Sequence, residues 1–375
     1  MKTIRICHLT SAHNSTDTRI FEKECTSLAK LPDCEVFLVA KGGSYDKNNV
    51  HVVGLGESPT GRFDRMFSFS KQVVHKSLEI NADIYHLHDP ELLQYVGDYK
   101  KKKKLVVFDS HEDVADSILD KAYLPKFTRK PIANLYKFYS EKQLAKCDAL
   151  ISVTPHIVDK LKLINNNTYM ITNYPIIVAN SPDLGYVPKL PMKTIIFAGG
   201  VDPQWSHDLI IDTINDLNIA YELYGSADEQ YLNCLKKIQG WKKTHFYGQV
   251  SFQKVQEALY CADIAVALLQ PSHNTGGLLG TIGNTKLFEC MNAGLPVICT
   301  NFTLWKDIVE KFECGICVNP SSREQLHDAI SFLIQNPKQA ARMGINGKMI
   351  VAEKFNWKTQ EEELYKLYRF LFNKL

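Results

Sequence analysis

The chain has 375 residues, of which 45% are hydrophobic and 23% charged, with a formal net charge of +3. That length exceeds one ordinary core, so two domains are expected, and the near-balanced charge excludes any global argument for a nucleic-acid or membrane partner. No run approaches the ~18 apolar residues of a membrane-spanning helix, and "MKTIRICHLTS" reads as an alternating strand rather than a secretory leader.

In chain order the first half gives the strands "IRICHLT", "EVFLVAK", "DIYHLHD", "KLVVFDSH" and "ALISVT". Amphipathic helices are predicted between them over Arg19–Leu31 and Ile132–Lys146. The stretch 173–194 holds Pro175, Pro182, Pro188 and Pro191 with little periodicity and reads as a linker. The second half repeats the style in "KTIIFAGG", "AYELYGS", "THFYGQ", "DIAVALLQ", "LPVICTN" and "GICVNP". It ends in a predicted helix with apolar positions at Trp357, Leu364, Leu367 and Leu371. Near-continuous apolar strands alternating with helices predict an α/β chain of two doubly wound, Rossmann-like domains with parallel sheets. The expected domains are 1–185, with the final helix 355–375 packing back on it, and 190–354. In such folds ligands bind outside the carboxyl ends of the strands, and the cleft between two such domains is the expected site.

Three strand ends carry polar chemistry. In "GTIGNTKLFECM" a glycine-rich loop leads to Asn284 or Thr285 as helix N-cap, with Lys286 and Glu289 on one helix face. The free amides of a helix start form an anion site, and a bound phosphate would explain a lysine in the first turn. A simple Lys286–Glu289 surface pair is the plain alternative. "DSHED" places His111 at a strand's carboxyl end between Asp109 and Glu112. In "YHLHDPEL", His86 and His88 share a strand face, followed by Asp89 and Glu91. They read either as a metal set whose third ligand is unassigned or as histidines hydrogen-bonded in the core. Cys314 and Cys317 form a lone C-x-x-C without the second pair of a zinc site. Lys100–Lys104 and the basic-aromatic segment 119–142, with Lys121, Tyr123, Lys126, Phe127, Arg129, Lys130, Lys137 and Phe138, read either as solvated surface or as a face for an anionic membrane. No RNA-binding or helix-turn-helix pattern occurs, so no nucleic-acid partner is expected.

The ordered set "DTRIFEKE", "DIYHLHDPELL", "KLVVFDSHED", "IIFAGG" and "NTKLFECMNAGLPVI" resembles the retaining glycosyltransferases of family four, with the GT-B fold, over nearly the whole chain. It looks most like the bacterial branch that builds capsule, O-antigen or other exported polysaccharides. The resemblance implies a first domain for the acceptor and a second for a nucleotide-sugar donor. On that basis His111, Glu289 and Lys286 are the catalytic-site residues. Donor contacts are implied at Gly199, Gly200, His207, Gly225, Asn274, Gly283, Asn284, Thr285, Lys286, Leu287 and Glu289. His13, Asp17, Arg19, His88, Asp89 and Glu112 are the acceptor-side candidates. No cofactor or metal is expected, only a UDP- or GDP-sugar co-substrate and a lipid-linked glycan or saccharide acceptor. The expected location is the cytoplasm, at the inner face of the plasma membrane. The chain departs from the family pattern twice. The first glutamate of the Glu-seven-Glu motif is replaced by Thr281, and the usual arginine and lysine after the Gly199–Gly200 turn are missing from Val201–His207. These departures leave two other readings open, a non-catalytic GT-B partner subunit and a nucleotide-sugar epimerase.

Overall fold

Every apolar run named above becomes a parallel strand in the computed structural model, which describes residues 3–56, 58–121, 124–177 and 193–375. The chain divides into two units, Met1–Asn173 with Trp357–Leu375, and Tyr174–Asn356. The division falls at Asn173/Tyr174. The proline-rich stretch read as the linker lies largely outside the described residues, including Pro182, Pro188 and Pro191.

The first unit holds β1 (Ile4–Asn14), β2 (Cys34–Lys41), β3 (Tyr45–Lys47), β4 (Val50–Gly54), β5 (Ile84–Leu87), β6 (Leu105–Ser110), β7 (Ala149–Ser152) and β8 (Thr168–Met170). Their order is β3-β4-β2-β1-β5-β6-β7-β8, and only the β3–β4 pair is antiparallel. The short strands β3, β4 and β8, of three, five and three residues, were not predicted from the sequence. The register sets His8 against His86 and Ile6 against Ile84 across β1 and β5. The helix expected over Arg19–Leu31 runs instead as Thr18–Cys25, wound wide with π geometry, followed by Thr26–Leu28. The helix expected from Ile132 starts earlier and spans Lys126–Leu144.

The last helix, Trp357–Phe372, packs on the first unit. Leu364, Leu367 and Leu371 are fully buried against Ile6, Ile84, Val107 and Ile151. Trp357 Nε1 donates to Ser27 Oγ at 2.9 Å, and the Tyr365 hydroxyl donates to the Ser27 carbonyl at 2.9 Å. Burying each leucine contributes about 1.5–3 kcal/mol, enough to hold a single amphipathic helix in place.

The second unit holds β9 (Lys193–Ala198), β10 (Ile219–Tyr224), β11 (Thr244–Gly248), β12 (Ile264–Ala267), β13 (Val297–Thr300) and β14 (Gly315–Val318), all parallel. The order β11-β10-β9-β12-β13-β14 is the doubly wound dinucleotide-binding order, which reverses between β9 and β12. The carboxyl end of β9, where Gly199 follows, is therefore the switch point at which ligands bind in open sheets of this kind.

Candidate functional site

In the second unit, β9 ends at Ala198 and the backbone turns at Gly199 with φ +155°. A Cβ there would lie 1.9 Å from Lys286 Cε and 2.8 Å from its Nζ. The bare glycine is thus what lets the lysine lie across the strand end. The neighbouring strand ends the same way. Gly225 has φ +138°, and a Cβ would lie 1.7 Å from the Gly199 carbonyl oxygen. Gly200, the next residue, has open space around it, with only Asp202 Oδ2 at 3.6 Å from a Cβ position.

The Lys286 ammonium sits 4.6 Å from the centroid of the Trp205 ring and 5.8 Å from that of Phe197. Among the described residues no carboxylate lies within ion-pair distance of it. Burial lowers its pKa from the ordinary lysine value, with Asp202 acting the other way. A half-buried cation seated on aromatic faces and lacking a carboxylate is poised for an anion. Sequence reasoning sought arginine or lysine after Gly200. The residue that matters there is Trp205, an aromatic seat for a lysine that arrives from a different helix.

That helix, Thr285–Asn292, is capped by Asn284, whose Oδ1 accepts the Lys286 amide at 3.0 Å. Its inner face puts Leu287, Phe288 and Met291 in the core, with Phe288 edge-on to Tyr174 at 4.7 Å. The side chain of Leu287 is therefore structural, and only its backbone can face a ligand. Lys286 and Glu289 are left on the outer face, where Gln256 Nε2 lies 3.5 Å from Glu289 Oε2. Thr281 does not act as a carboxylate substitute. Its hydroxyl accepts the Gly283 amide at 3.1 Å, and its carbonyl accepts Trp305 Nε1–H at 2.6 Å. Before it, buried Thr275 closes the turn that contains Asn274. The Thr275 hydroxyl bonds the Ser272 carbonyl at 3.0 Å, and Gly276, Gly277 and Gly280 take positive φ.

His207 is a correction. It opens the helix His207–Ile214 fully buried, with Nδ1 2.8 Å from the Tyr221 hydroxyl and its ring edge-on to Phe197. Burial, and then the Lys286 charge, push its pKa down to about 3. A neutral core imidazole cannot neutralise a diphosphate. One feature the sequence reading missed is the Tyr224–Tyr247 pair at the ends of β10 and β11. These rings stack at 4.4 Å and 7°, with Tyr247 about half exposed beside Gly225 and Gly248.

In the first unit Asp109, fully buried at the end of β6, organises the strand ends. It accepts a bidentate pair from Arg19, Nε at 2.8 Å and a terminal nitrogen at 3.0 Å, and lies 3.0 Å from His111 Nε2 and 3.5 Å from His88 Nδ1. Burial alone would raise its carboxyl, but Arg19 and His111 hold it well below the usual carboxylate range. Arg19, proposed from sequence as an acceptor contact, is instead a buried ion-pair partner, also 3.2 Å from Glu24. His88 and Asp89 are corrected likewise. His88 is buried against His8, and Asp89 turns inward to accept the Thr10 hydroxyl at 2.8 Å and the Ser11 amide at 2.6 Å, pinning the end of β1.

His13, Asp17, His111 and Glu112 remain at the surface side. The His111 side chain is 26% exposed, and its ring lies 5.4 Å from that of His13. Glu112 is exposed and accepts the Ser117 hydroxyl at 2.9 Å. Asp17 caps the wide helix by accepting the Arg19 and Ile20 amides at 2.9 Å each. Its hydrogen bond raises the His13 pKa, against the opposing pull of burial and with help from Asp89. The imidazolium's contribution to stability is therefore present below the unfolded histidine value of about 6.5 and lost as pH rises through the raised folded value. NMR titration is expected to place His13 above that reference and to return it toward 6.5 in Asp17→Asn. A His13 midpoint that Asp17→Asn leaves unmoved would contradict this pairing.

The two basic features differ. In the run, Lys100 pairs with Asp148 at 2.7 Å and Lys101 with Asp98 at 3.1 Å, at the carboxyl end of the helix Val96–Lys101 where cations are favoured. The helix Lys126–Leu144 presents exposed Phe127, Leu135 and Phe138, at 82%, 71% and 59%, within about 80° of arc at 100° per residue. Lys126, Lys130 and Lys137 flank this stripe. Tyr123 lies outside the described residues. No helix among the described residues is long and apolar enough to cross a membrane. Cys314 and Cys317 do not converge. Cys314 Sγ faces the Val309 carbonyl, while Cys317 Sγ lies 3.6 Å from that of Cys299.

Residues 187–349 match the family model described as Glycosyl transferases group 1. An uncharacterized glycosyltransferase of Methanocaldococcus jannaschii is 28% identical over 145 residues, which are 38% of this chain and 35% of that protein. The match thus spans about a third of that relative's length. Among solved structures, the sucrose-phosphate synthase of Thermosynechococcus elongatus superposes with a TM-score of 0.77 at 15% identity, covering 99% of this chain and 100% of the other. The Anabaena protein HepE, solved in complex with UDP-glucose, superposes with a TM-score of 0.69 at 13% identity, over 98% and 99% of the two chains. The likeness to these structures establishes the fold, two Rossmann-like units of the GT-B type, with the last helix returning to the first unit.

Proposed function

We propose that the protein is a retaining, metal-independent glycosyltransferase that moves a hexose or N-acetylhexosamine from a UDP- or GDP-sugar to a lipid-linked glycan acceptor in cell-surface polysaccharide synthesis. The observation that carries this reading is Lys286, a cation without a carboxylate partner among the described residues, lying across Gly199 at the switch point of a dinucleotide-binding sheet. A diphosphate at that strand end would meet the ammonium and the start of the helix Thr285–Asn292. These supply the positive field a departing nucleoside diphosphate needs. Glu289, on the same helix face, is suited to accept hydroxyls of a ribose. The half-exposed Tyr247 offers a stacking face for a base. The match of residues 187–349 and the UDP-glucose held by HepE support this reading.

In the retaining chemistry, the departing phosphate takes the proton of the attacking acceptor hydroxyl. His111, oriented by Asp109, positions the reacting groups on the acceptor side, with His13 and Asp17 beside it. The turn containing Asn274, with its three positive-φ glycines, is assigned to the sugar, since Thr281 brings no carboxylate. The test is incubation of the purified protein with UDP- and GDP-sugars and lipid-linked acceptors. Transfer that Glu289→Ala abolishes supports the reading, and absence of transfer with every donor removes it.

A non-catalytic partner subunit is favoured by a different observation, the lack of any arginine or lysine between Gly199 and His207. Thermal stabilisation of the protein by UDP or GDP, which follows mass action, would count against that reading.

The acceptor side is further proposed to rest on an anionic membrane surface through Phe127, Leu135, Phe138 and the flanking lysines. Co-sedimentation with phosphatidylserine vesicles is expected to be salt-sensitive. It should fall at least several-fold on joint charge reversal of Lys126, Lys130 and Lys137. Unchanged binding by that variant would refute the surface.

A further inference from the structure

Beneath the acceptor-side strand ends, four side chains that could ligate a metal converge in the core of the first unit. His8 comes from β1, His86 from β5, His88 from the turn after β5, and Glu24 from the wide helix Thr18–Cys25. All four are buried, at 0%, 0%, 3% and 0% exposure respectively. Glu24 Oε2 lies 3.9 Å from His8 Nδ1, 3.8 Å from His86 Nε2 and 3.9 Å from His88 Nε2, while His8 Nδ1 and His88 Nε2 lie 2.9 Å apart.

As a hydrogen-bond network this arrangement fails. Glu24 Oε2 reaches none of the three imidazoles at bonding distance, and it and His86 Nε2 have no hydrogen-bond partner. The other carboxylate oxygen, Oε1, faces Arg19 Nε at 3.2 Å without hydrogen-bond alignment. His8 Nδ1 and His88 Nε2 bond each other, but the buried carboxylate oxygen and His86 Nε2 are left without a partner among the described residues, which is costly unless something occupies the centre.

We propose that His8 Nδ1, His86 Nε2, His88 Nε2 and Glu24 Oε2 form a four-coordinate site for a divalent transition-metal ion, zinc foremost. A tetrahedral zinc with bonds of ~2.0–2.1 Å separates its ligand atoms by about 3.3–3.4 Å. The three separations from Glu24 Oε2 and that between His8 Nδ1 and His88 Nε2 run from 2.9 to 3.9 Å and bracket that value, and all four ligating groups lie within 4.8 Å of one another, so closure draws the side chains together around the ion. Three imidazoles and one carboxylate suit zinc and its neighbours rather than calcium or magnesium.

The surroundings are those of a metal site as well. The ring nitrogens turned away from the centre each meet an oxygen. His86 Nδ1 lies 2.9 Å and His8 Nε2 3.5 Å from the Tyr368 hydroxyl, whose oxygen can accept from both, while His88 Nδ1 lies 3.5 Å from Asp109 without a hydrogen bond to it. Such oxygens fix the tautomer that presents the other nitrogen to the metal. The ion would tie β1, β5 and the wide helix together and, through Tyr368, the returning helix Trp357–Phe372. Its role is to brace the first unit, separate from the sugar transfer proposed above.

The full-length protein, purified without a polyhistidine tag from zinc-supplemented cells, is expected to carry about one zinc per chain by inductively coupled plasma mass spectrometry. X-ray absorption should show only nitrogen and oxygen neighbours. The double variant Glu24→Gln/His86→Asn is expected to lose the metal, whereas His111→Ala keeps it. Should the double variant fail to fold, the wild-type chain decides. Chelator-stripped protein is expected to fall in Tm, to regain it with one equivalent of Zn²⁺, and to show the visible spectrum of four-coordinate Co²⁺ when that ion replaces zinc. Protein without metal whose Tm zinc does not raise, sulfur in the first shell, or full metal content in the double variant would overturn the site.

Discussion

Lys286→Ala is expected to lower kcat/KM for sugar transfer by about 10²–10³-fold, the cost of removing one pre-placed group from a developing anion, about 3–4 kcal/mol. The argument rests on isolation. Among the described residues no carboxylate shares the ammonium, and Trp205 and Phe197 hold it by their ring faces. Its favourable interaction is therefore available to a ligand rather than spent inside the protein. The loss should appear in kcat as well as KM, because charge on the diphosphate rises as the sugar departs. Gly199→Ala is expected to reproduce much of the defect without touching the lysine, since its Cβ would occupy the place of Lys286 Cε, while Gly200→Ala has room. Steady-state kinetics on the three variants checks the pattern. Equal effects of Gly199→Ala and Gly200→Ala would detach the glycine from the lysine.

Asp109→Ala is expected to destabilise the first unit by about 3–5 kcal/mol, because it strands the Arg19 guanidinium in a site with 4% exposure. Among the described residues one terminal nitrogen of Arg19 already lacks a hydrogen-bond partner, and the carboxylate that would remain, Glu24 with Oε1 3.2 Å from Nε, is not aligned to accept a hydrogen bond. Removing both charges should cost far less. Arg19→Met combined with Asp109→Leu is expected to recover most of the lost stability, as apolar replacement of a buried pair commonly does. Urea denaturation of the single and double variants measures this. A single variant within 1 kcal/mol of wild type would mean that water reaches Arg19. The pH dependence follows the same residue. With its carboxyl held well below the ordinary value near 4, Asp109 contributes stability that is complete above that pH and lost as pH falls below it.

Most of the parallel strands were legible because they are buried on both faces and sit in apolar runs, whereas β3, β4 and β8, with three to five partly exposed residues, did not stand out from loops. Asn284 was legible as a cap, and Lys286 and Glu289 as one helix face, because both depend on local spacing alone. The acceptor-side residues were not separable in the same way. Asp17 and Arg19 stand two apart, yet one caps a helix at the surface while the other turns inward to Asp109, a partner 90 residues away that local spacing does not reveal. His207 looked like a free cation beside a glycine turn. Nothing local shows that Tyr221, on another strand, waits to bond it in the core. The histidines 86 and 88 lacked visible partners for a related reason. His8 and Glu24 come from elements about 60 to 80 residues earlier, joined only by the β1–β5 register and the helix above it.

The central claim, that the second unit is a nucleotide-sugar site built on Lys286, is tested most directly by isothermal titration of UDP and GDP into the full-length protein and its Lys286→Ala variant. The expected result is saturable binding of one of the two nucleotides to the wild type, weakened at least tenfold, about 1.4 kcal/mol, in the variant. Absence of binding by either nucleotide, or equal affinity in wild type and variant, would contradict it.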